Sequence, residues 1–305
     1  MKGIKFSLLI PCYNAERYID KFIHEIKTLN QSFDEIIFYN DASTDKTEKI
    51  LIEKGYDVIS GLVNKGPGYA RNQLAKAARG EYLHFHDIDD EFNPDFLVLV
   101  ENSLQNKTPD LILGNADWVD ESSRKPIIKW SYNNLEITKN PLAYFIKNPL
   151  GVINTIYRRD FFLQINGFNE QINCWEDSDL NIRMAAEASS IAVIDATLAY
   201  SIRHNNGISS NQNWCWDCRL KFIEIYLQHY LPRLGPEIFI REIKRVQNSY
   251  IQDNNLQKVK AILVMNQRHN LGMNTLKIGF LYYLDKILPK YIMNSILKIY
   301  FSINQ

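Results

Sequence analysis

The amino-acid sequence predicts an α/β protein: a mostly parallel, Rossmann-like sheet flanked by helices, with a helical region at its C-terminal end. Two observations lead to this prediction. In the first half of the 305 residues, short apolar runs alternate with amphipathic segments of helix length, which is typical of parallel strands joined by crossover helices. After about residue 204, the apolar spacing is helical.

The predicted elements follow one another in a regular order. Apolar runs mark strands at 6–10, 35–39, 56–59, 82–85 and 110–113. Apolar residues at helical spacing, with capping or turn residues before them, mark helices at 18–29, 47–54, 66–78 and 94–104. The second half is predicted to contain strands at 152–157, 191–194 and 198–202, and helices at 142–148, 160–165 and 177–188. The rest of 117–150 is expected to be irregular, and a domain boundary is expected near residue 210.

Composition and charge narrow the class of protein. Hydrophobic residues make up 46% of the chain, which is typical of a folded protein. The 35 basic residues equal the 35 acidic ones, so no overall basic field favours nucleic acid and we expect no nucleic-acid partner. We recognise neither a signal peptide nor an apolar run of bilayer length, so we expect a cytoplasmic protein with reduced thiols. Cys215 and Cys218 have the spacing of a zinc pair, but the sequence contains no second pair of that spacing.

Polar and acidic residues follow the predicted strands of the first half. In open α/β sheets the ligand binds at the carboxyl ends of the strands. The groups expected at that edge are Pro11–Asn14, Asn40–Ser43, Asn64–Gly66 and His86–Asp90. The last group has three carboxylates in four positions, which are costly to bury together unless a cation such as Mg²⁺ or Mn²⁺ compensates them. The alternative is a turn whose acids cap the next helix and remain solvated.

Three further residues are candidates, and each has a structural alternative. Asp41 could accept a hydrogen bond from a base or ribose, or it could close an Asx turn. Arg71 presents a forked donor suited to diphosphate oxygens, or it could form an ordinary surface ion pair. Asp177 could act as a general base, since desolvation beside Trp175 and the neighbouring acids would raise its pKa from about 3.9. Its alternative role is to cap a helix.

Six segments, in this order along the chain, resemble the motifs of glycosyltransferase family 2, whose members have the GT-A fold. They are Ile10–Asn14, Asn40–Asp45, Ala70–Asn72, Asp87–Asp90, Gly167–Glu170, and Glu176–Asp177 with Arg183. The resemblance extends over roughly residues 5–205. It implies an inverting, metal-dependent transfer of one sugar from a nucleotide diphosphate sugar, UDP-sugar above all, to an acceptor hydroxyl. It also implies a glycan or lipid-linked glycan acceptor, in bacterial surface polysaccharide or lipopolysaccharide assembly.

The resemblance assigns the donor side of the site to residues of the first half. Pro11, Tyr13, Asn14 and Asp41 would hold the nucleoside, and Arg71 would lie against the nucleotide. Residues 1–115 would form the nucleotide-sugar-binding half of a catalytic domain spanning 1–210. Residues 116–210 would form its acceptor-binding half, and 211–305 would be a separate helical region.

The resemblance also implies a metal site. Asp87 and Asp89 would form an Asp-x-Asp pair for Mn²⁺ or Mg²⁺, with Asp89 the more direct ligand. Asp90 would either replace it or contact the donor sugar, and His204 would reach back to the metal or the diphosphate. The alternative for His204 is an ordinary loop histidine.

The catalytic residues implied by the resemblance are Asp177, as the base, and Glu176, which would orient the acceptor. Two positions depart from the family, which usually has aspartate at Asn40 and glycine at Ala42. Asn40 still donates and accepts hydrogen bonds, so nucleotide binding is expected, with a base preference that is less strictly fixed. The Gln-x-x-Arg-Trp motif of polymerising relatives does not occur in the sequence, which favours single-sugar addition.

Two other functions compete with this one. A nucleotidyltransferase, or a catalytically inactive nucleotide-binding module, could have the same fold. A dinucleotide oxidoreductase is disfavoured, because Pro11–Asn14 occupies the place where a Gly-x-Gly-x-x-Gly turn would stand.

Residues 273–305 combine apolar residues at helical spacing with four lysines and one aspartate. Such a helix could lie on the inner face of an anionic membrane. It could equally pack on the catalytic domain, or pair with a second subunit in a homodimer formed through the C-terminal helices. Pro289 interrupts the helix in each case.

Overall fold

The computed structural model describes residues 5–104, 107–172, 174–188, 190–204, 212–253, 255–273, 275–293 and 295–296. The chain divides into two compact units, Met1–Ser210 and Asn211–Gln305. The first unit contains the sheet and the second is helical.

The sheet of the first unit has nine strands among the described residues. They are β1 (Phe6–Cys12), β2 (Glu35–Asn40), β3 (Asp57–Ser60), β4 (Tyr82–Phe85), β5 (Glu91–Phe92), β6 (Leu111–Asp120), β7 (Pro126–Trp130), β8 (Thr155–Arg158) and β9 (Ile191–Arg203). Their order is β3-β2-β1-β4-β8-β6-β9-β5, with β7 paired to β6. The first four strands in this order are parallel. Strand β8 is antiparallel to both its neighbours, while β6 and β9 are parallel. The predicted α/β class is confirmed, and the sheet is mixed.

The helices of the first unit cover both faces of this sheet. They are α1 (Glu16–Thr28), α2 (Thr47–Glu53), α3 (Pro67–Ala77), α4 (Phe96–Leu104), α5 (Asn134–Lys139), α6 (Pro141–Lys147), α7 (Arg159–Gln164) and α8 (Glu176–Glu187). Alternate residues of β1 point to one face, where Leu8 joins a core cluster with Phe22 of α1 and Val100 of α4. On the other face, the ring of Phe85 contacts that of Phe162 in α7.

Two parts of the sequence-based prediction are wrong. Residues 117–150 are mostly regular: β6 extends to Asp120, β7 pairs back on it, and α5 and α6 follow. The exposed side chains of β7 show no apolar alternation that would mark a strand. The two strands expected at 191–194 and 198–202 form one strand, β9, whose register with β6 shifts at Asn115. The interruption of the apolar pattern between residues 194 and 198 therefore corresponds to a shift in strand register, and not to a loop.

The second unit contains α9 (Gln212–Leu234), α10 (Pro236–Gln252), α11 (Leu256–Arg268) and α12 (Leu276–Ile287). The predicted C-terminal helical region is thus confirmed. A buried ion pair joins α9 to α10, with Arg219 Nη2 3.0 Å from Glu242 Oε2. Cys215 and Cys218 are both half-buried on α9. Within the described part of the chain, no helix has both the length and the hydrophobicity needed to cross a bilayer.

Candidate functional site

Parallel pairing brings the polar segments that follow β1, β2 and β4 to one edge of the sheet. Cys12 at the end of β1 lies opposite Asn40 at the end of β2. The buried Cys12 thiol is close enough to Asp45, Asp87 and Asp89 for all three carboxylates to act on it. Burial raises the pKa of Cys12 well above its usual value, and these three charges raise it further. The segments that follow β1, β2 and β4 therefore lie close together at this edge.

Asn14 connects the loops that follow β1 and β2. Its backbone amide donates to Ser43 Oγ at 2.9 Å, and its side-chain Oδ1 accepts from the Thr44 amide at 2.8 Å. Asn14 has a left-handed φ of 50°, which asparagine tolerates better than most residues. The neighbouring Tyr13, which directly follows β1, is 52% exposed, and Pro11 lies within β1. Their nucleoside-binding roles stay predictions.

Asp41 is buried and holds the turn that leads into α3. Its Oδ2 accepts from the Gly66 amide at 2.8 Å, and its Oδ1 accepts from the Lys65 amide at 3.0 Å. Both oxygens therefore have partners within the protein. This carboxylate aligns the start of α3 with the sheet edge. A contact to the base, as the resemblance implies, would be made with the lone pairs that remain.

The two positions that depart from the family have local explanations. Asn40 Oδ1 accepts from the Ser43 amide at 3.1 Å, while its Nδ2 donates to Glu48 Oε2 at 3.2 Å. An aspartate could not donate that second bond and would face the Glu48 carboxylate instead. Ala42 has a φ of 58°, the left-handed region that favours glycine.

Arg71 joins the segment after β4 to the start of α8. Its side chain is 5% exposed, and its Nη2 donates to Asp87 Oδ1 at 2.7 Å while its Nη1 donates to Glu176 Oε1 at 2.8 Å. Burial lowers the pKa of Arg71, but Asp87 and Glu176 raise it by more, so the guanidinium remains charged. The sequence places these residues in three separate motifs, and the structure brings them into one ion-pair bridge.

Asp89 and Asp90 point to different partners. Asp89 Oδ2 lies 2.8 Å from Nε2 of His204, which follows β9. Asp90 is buried, and its Oδ1 accepts from the Ile202 amide at 2.8 Å. Burial raises the pKa of Asp90 well above its usual value, and the charges of Asp89 and Asp87 raise it further. Asp90 therefore ties the turn formed by Asp87–Asp90, here called the acidic turn, to β9, and its burial makes it less accessible to a metal ion than Asp89.

Asp89 and His204 offer oxygen and nitrogen donors of the kind that bind divalent cations, but they are too few to complete a coordination shell. His204 Nδ1 is buried without a hydrogen-bond partner among the described residues. Within those same residues, no group of three or more His, Cys, Asp or Glu side chains could hold a metal ion alone. Mg²⁺ and its analogues commonly use one or two carboxylates, with phosphate oxygens and water as the other ligands. Asp89 and His204 would therefore supply at most two ligands to such a cation, and a diphosphate or water would have to supply the others.

Asp177 is partly buried in the first turn of α8. Burial raises its pKa to about 7, and the charge of Glu176 contributes to the rise, while the Ser178 amide and Arg71 oppose it. Trp175, just before the helix, has a left-handed φ of 70°, which orients the first turn and is a strained conformation for a large residue. A carboxyl group with this pKa can accept a proton near neutral pH.

The loop that faces Asp177 is held by buried polar side chains that sequence reasoning did not identify. Asn181 Nδ2 donates to the Leu150 carbonyl at 2.8 Å, and its Oδ1 accepts from Tyr157 Oη at 3.0 Å. A Cβ at Gly151, the next residue in the loop, would lie 3.9 Å from Asp177 Oδ2. The signal available in the sequence was an asparagine on the helix face that continues with the apolar Met184 and Ala185.

Asn72, the residue after Arg71, holds the loop around Phe168. Asn72 Nδ2 donates to the Phe168 carbonyl at 2.9 Å, and its Oδ1 accepts from the Phe168 amide at 2.8 Å. Arg183 of α8 donates to the carbonyls of Ile165 and Gly167. Asn72 and Arg183 also pair with Glu170 and Asp179, respectively, so these two side chains and Gly167 hold the 165–170 loop in place.

The mixed sheet flanked by helices, with carboxylates collected at one edge, defines a GT-A-type protein. A family model described as glycosyl transferase family 2 matches residues 7–165, and the chain belongs to this family.

Three similar proteins illustrate the range of the family. The uncharacterized glycosyltransferase EpsJ of Bacillus subtilis (strain 168) is 30% identical over a 212-residue alignment that covers 65% of this chain and 61% of EpsJ. The processive diacylglycerol beta-glycosyltransferase of Mycoplasma pneumoniae is 26% identical over a 256-residue alignment that covers 75% of this chain and 72% of that protein. The poly(ribitol-phosphate) beta-N-acetylglucosaminyltransferase TarS of Staphylococcus aureus is 25% identical over a 215-residue alignment that covers 67% of this chain and 36% of TarS. The chain thus spans less than two thirds of EpsJ and about a third of TarS.

Solved structures share the fold. The crystal structure of S. aureus TarS 1-349 in complex with UDP-GlcNAc matches with a TM-score of 0.66 at 20% sequence identity, and the match covers 87% of this chain and 80% of that one. This likeness supports the GT-A fold.

Proposed function

We propose that the protein is an inverting glycosyltransferase that transfers one sugar from a UDP-sugar to an acceptor hydroxyl. One observation carries the proposal: Asp177, with a pKa of about 7, adjoins Glu176, which Arg71 ties to Asp87 of the acidic turn. A group-transfer reaction needs its proton acceptor and its leaving group in the same site. The ion pairs of Arg71 with Asp87 and Glu176 would keep the candidate proton acceptor near the candidate diphosphate site.

In the proposed reaction, Asp177 accepts the proton of the acceptor hydroxyl as its oxygen attacks the anomeric carbon. The bond from that carbon to the diphosphate oxygen breaks on the opposite face, and the nucleoside diphosphate leaves with the electron pair. A single displacement inverts the configuration at the anomeric carbon. Near neutral pH, about half of the Asp177 side chains would be deprotonated and able to act.

Arg71 acts in this proposal as a positioning residue. Its two terminal nitrogens are engaged by Asp87 and Glu176, so it holds the donor and acceptor sides at a constant separation. Asp89, with His204 beside it, would hold Mn²⁺ or Mg²⁺. When bound, such a cation would neutralise charge on the leaving diphosphate.

The substrate classes are proposed from chemistry and from the relatives. The structure of TarS with UDP-GlcNAc supports a UDP-sugar donor. The names of the relatives include a polymer and a lipid among their acceptors, which supports a glycan or lipid-linked glycan acceptor in bacterial surface polysaccharide assembly. We assign donor binding to residues 1–115, acceptor binding to 116–210, and the reaction to the cytoplasm.

The test is a screen of UDP-sugars for Mn²⁺-dependent transfer or donor hydrolysis, using the wild type and two variants. Asp177→Asn should bind donor as the wild type does and lose transfer by about 10²-fold or more. Asp89→Ala should lose the rise in melting temperature that UDP with Mn²⁺ causes in the wild type. Retained transfer in Asp177→Asn would refute the base assignment. A UDP-induced shift without transfer of any sugar would instead support an inactive nucleotide-binding module.

A further inference from the structure

Helix α12 of the second unit has an apolar face that is open to solvent. Leu276, Phe280, Tyr283 and Ile287 are each between 65% and 81% exposed. Their spacing of four, three and four residues places them on one side of the helix. We refer to these four side chains as the outer stripe. A contiguous apolar patch of this kind on a protein surface usually marks an interaction site.

The outer stripe is not needed to anchor α12 within its unit. The opposite side of the helix carries Ile278, Leu281 and Tyr282, which are at most 5% exposed. Asp285 is on that side too, and its Oδ2 accepts from Gln257 Nε2 of α11 at 3.0 Å. A helix with one face packed would ordinarily be polar on the other. Here the second face is also apolar.

The charges next to the outer stripe are positive. Lys286 and Lys290 are both exposed beside Ile287, and the Lys286 Nζ lies 4.6 Å from the Tyr282 ring. Asp285 is the one acid between residues 276 and 293 of the sequence, and it is turned inward. No carboxylate of α12 itself therefore balances these lysines at the stripe.

An anionic lipid surface complements this arrangement better than a second copy does. Lipid phosphates would pair with the lysines, and Tyr283 has the ring and hydroxyl that favour the boundary between headgroups and acyl chains. In a two-fold contact of α12 with itself, by contrast, the lysines would meet a surface that offers no acid of its own. At twelve residues, or roughly 18 Å, the helix suits a position in the membrane plane.

We propose that the outer stripe of α12 docks the protein on the surface of an anionic membrane. The four apolar side chains enter the boundary between headgroups and acyl chains, and Lys286 and Lys290 contact phosphates. This proposal goes beyond the transfer reaction and does not depend on it, because vesicle binding can be measured without donor or acceptor.

The test is flotation of the full chain with vesicles of phosphatidylcholine alone, and with vesicles containing about 30% phosphatidylglycerol. We expect the wild type to float with the anionic vesicles. Binding should fall about tenfold or more in Phe280→Gln/Ile287→Gln, and likewise in Lys286→Glu/Lys290→Glu. The matched control is Leu135→Gln on α5, which removes an apolar side chain that is 83% exposed; it should bind as the wild type does. All the changed side chains are exposed, so circular dichroism should show an unchanged fold.

Three results would overturn the proposal. The wild type could fail to float with anionic vesicles, or the stripe variant could float as well as the wild type. Light scattering could also reveal a dimer without lipid that Phe280→Gln/Ile287→Gln dissolves, which would assign the stripe to a second copy. Transfer to a water-soluble acceptor should be unchanged in both double variants, so a failure here is distinct from a failure of the proposed reaction.

Discussion

Transfer should depend on pH through Asp177. A general base works only when deprotonated, and a pKa of about 7 makes the active fraction roughly 0.1 at pH 6, about 0.5 at pH 7 and about 0.9 at pH 8. The value of kcat/KM should therefore rise about tenfold from pH 6 to pH 8 and then level off. An aspartate at its ordinary pKa of about 3.9 would leave the rate flat over this range.

The variant Glu176→Gln tests what raises the pKa of Asp177. Burial is the larger contribution to the raised pKa of Asp177, and the Glu176 charge is the second. Removing that charge should lower the pKa of Asp177. The rising part of the pH–rate profile, or acid limb, should then move to lower pH by on the order of one unit. Arg71 would then be balanced by Asp87 alone, which shifts the pKa of Asp177 in the same direction. The measurement is the initial rate of transfer at subsaturating substrate, from pH 5 to pH 8.5 at constant ionic strength.

Glu25→Gln is the matched control. Burial raises the pKa of Glu25 to about 7 as well, but this side chain lies on α1 and accepts from the Phe92 amide. Its substitution should leave the acid limb where it is in the wild type. A flat profile in the wild type would refute the assignment of Asp177. So would a limb that moves in Glu25→Gln but stays in place in Glu176→Gln.

Three further predictions concern stability. Gly167→Ala should lower the free energy of unfolding by about 2 kcal/mol in urea titrations. The new Cβ would overlap Asn72 Oδ1, and residue 167 has a left-handed φ of 57°; an unchanged free energy would contradict this. Ala42→Gly should raise the same quantity by about 0.5 kcal/mol by relieving a left-handed φ, and a decrease would show that the residue is not strained. Asn40→Asp should destabilise by about 1 kcal/mol at pH 7, since it replaces the donor to Glu48 with a like charge. The loss should shrink at pH 4 as carboxylates become protonated, and equal losses at both pH values would rule out repulsion.

The first half of the fold could be predicted because its strands and helices alternate in the chain. Strands β1 to β4 and helices α1 to α4 lie within a few residues of the predicted segments. The middle of the chain was mispredicted for a physical reason. Strand β7 is exposed, and β9 shifts register beside β6, so neither has the unbroken alternation that a half-buried strand shows in sequence.

The candidate site was predicted as a set of residue types at one edge, without its pairings. Clustered acids after an apolar strand pointed to Asp87 and Asp89, while nothing in the spacing indicated that Arg71 would bind Asp87 and Glu176 together. The latter pair is separated from Arg71 by 16 and 105 positions. Such contacts depend on how β8 and α8 return to the first four strands, and local patterns do not encode that path.

By itself, the sequence determined the α/β class, the edge where polar groups collect and the helical spacing of apolar residues after residue 273, because these follow from side-chain periodicity and strand direction. Only the tertiary structure decided which carboxyl groups have shifted pKa values and which partners they have. Burial raises the pKa of Asp90 well above its usual value and the pKa of Asp177 to about 7, and Asp89 lies beside His204. The physical reason is that a carboxyl group's proton affinity depends on solvent exclusion and on charges a few ångströms away, and both arise only when distant segments pack together.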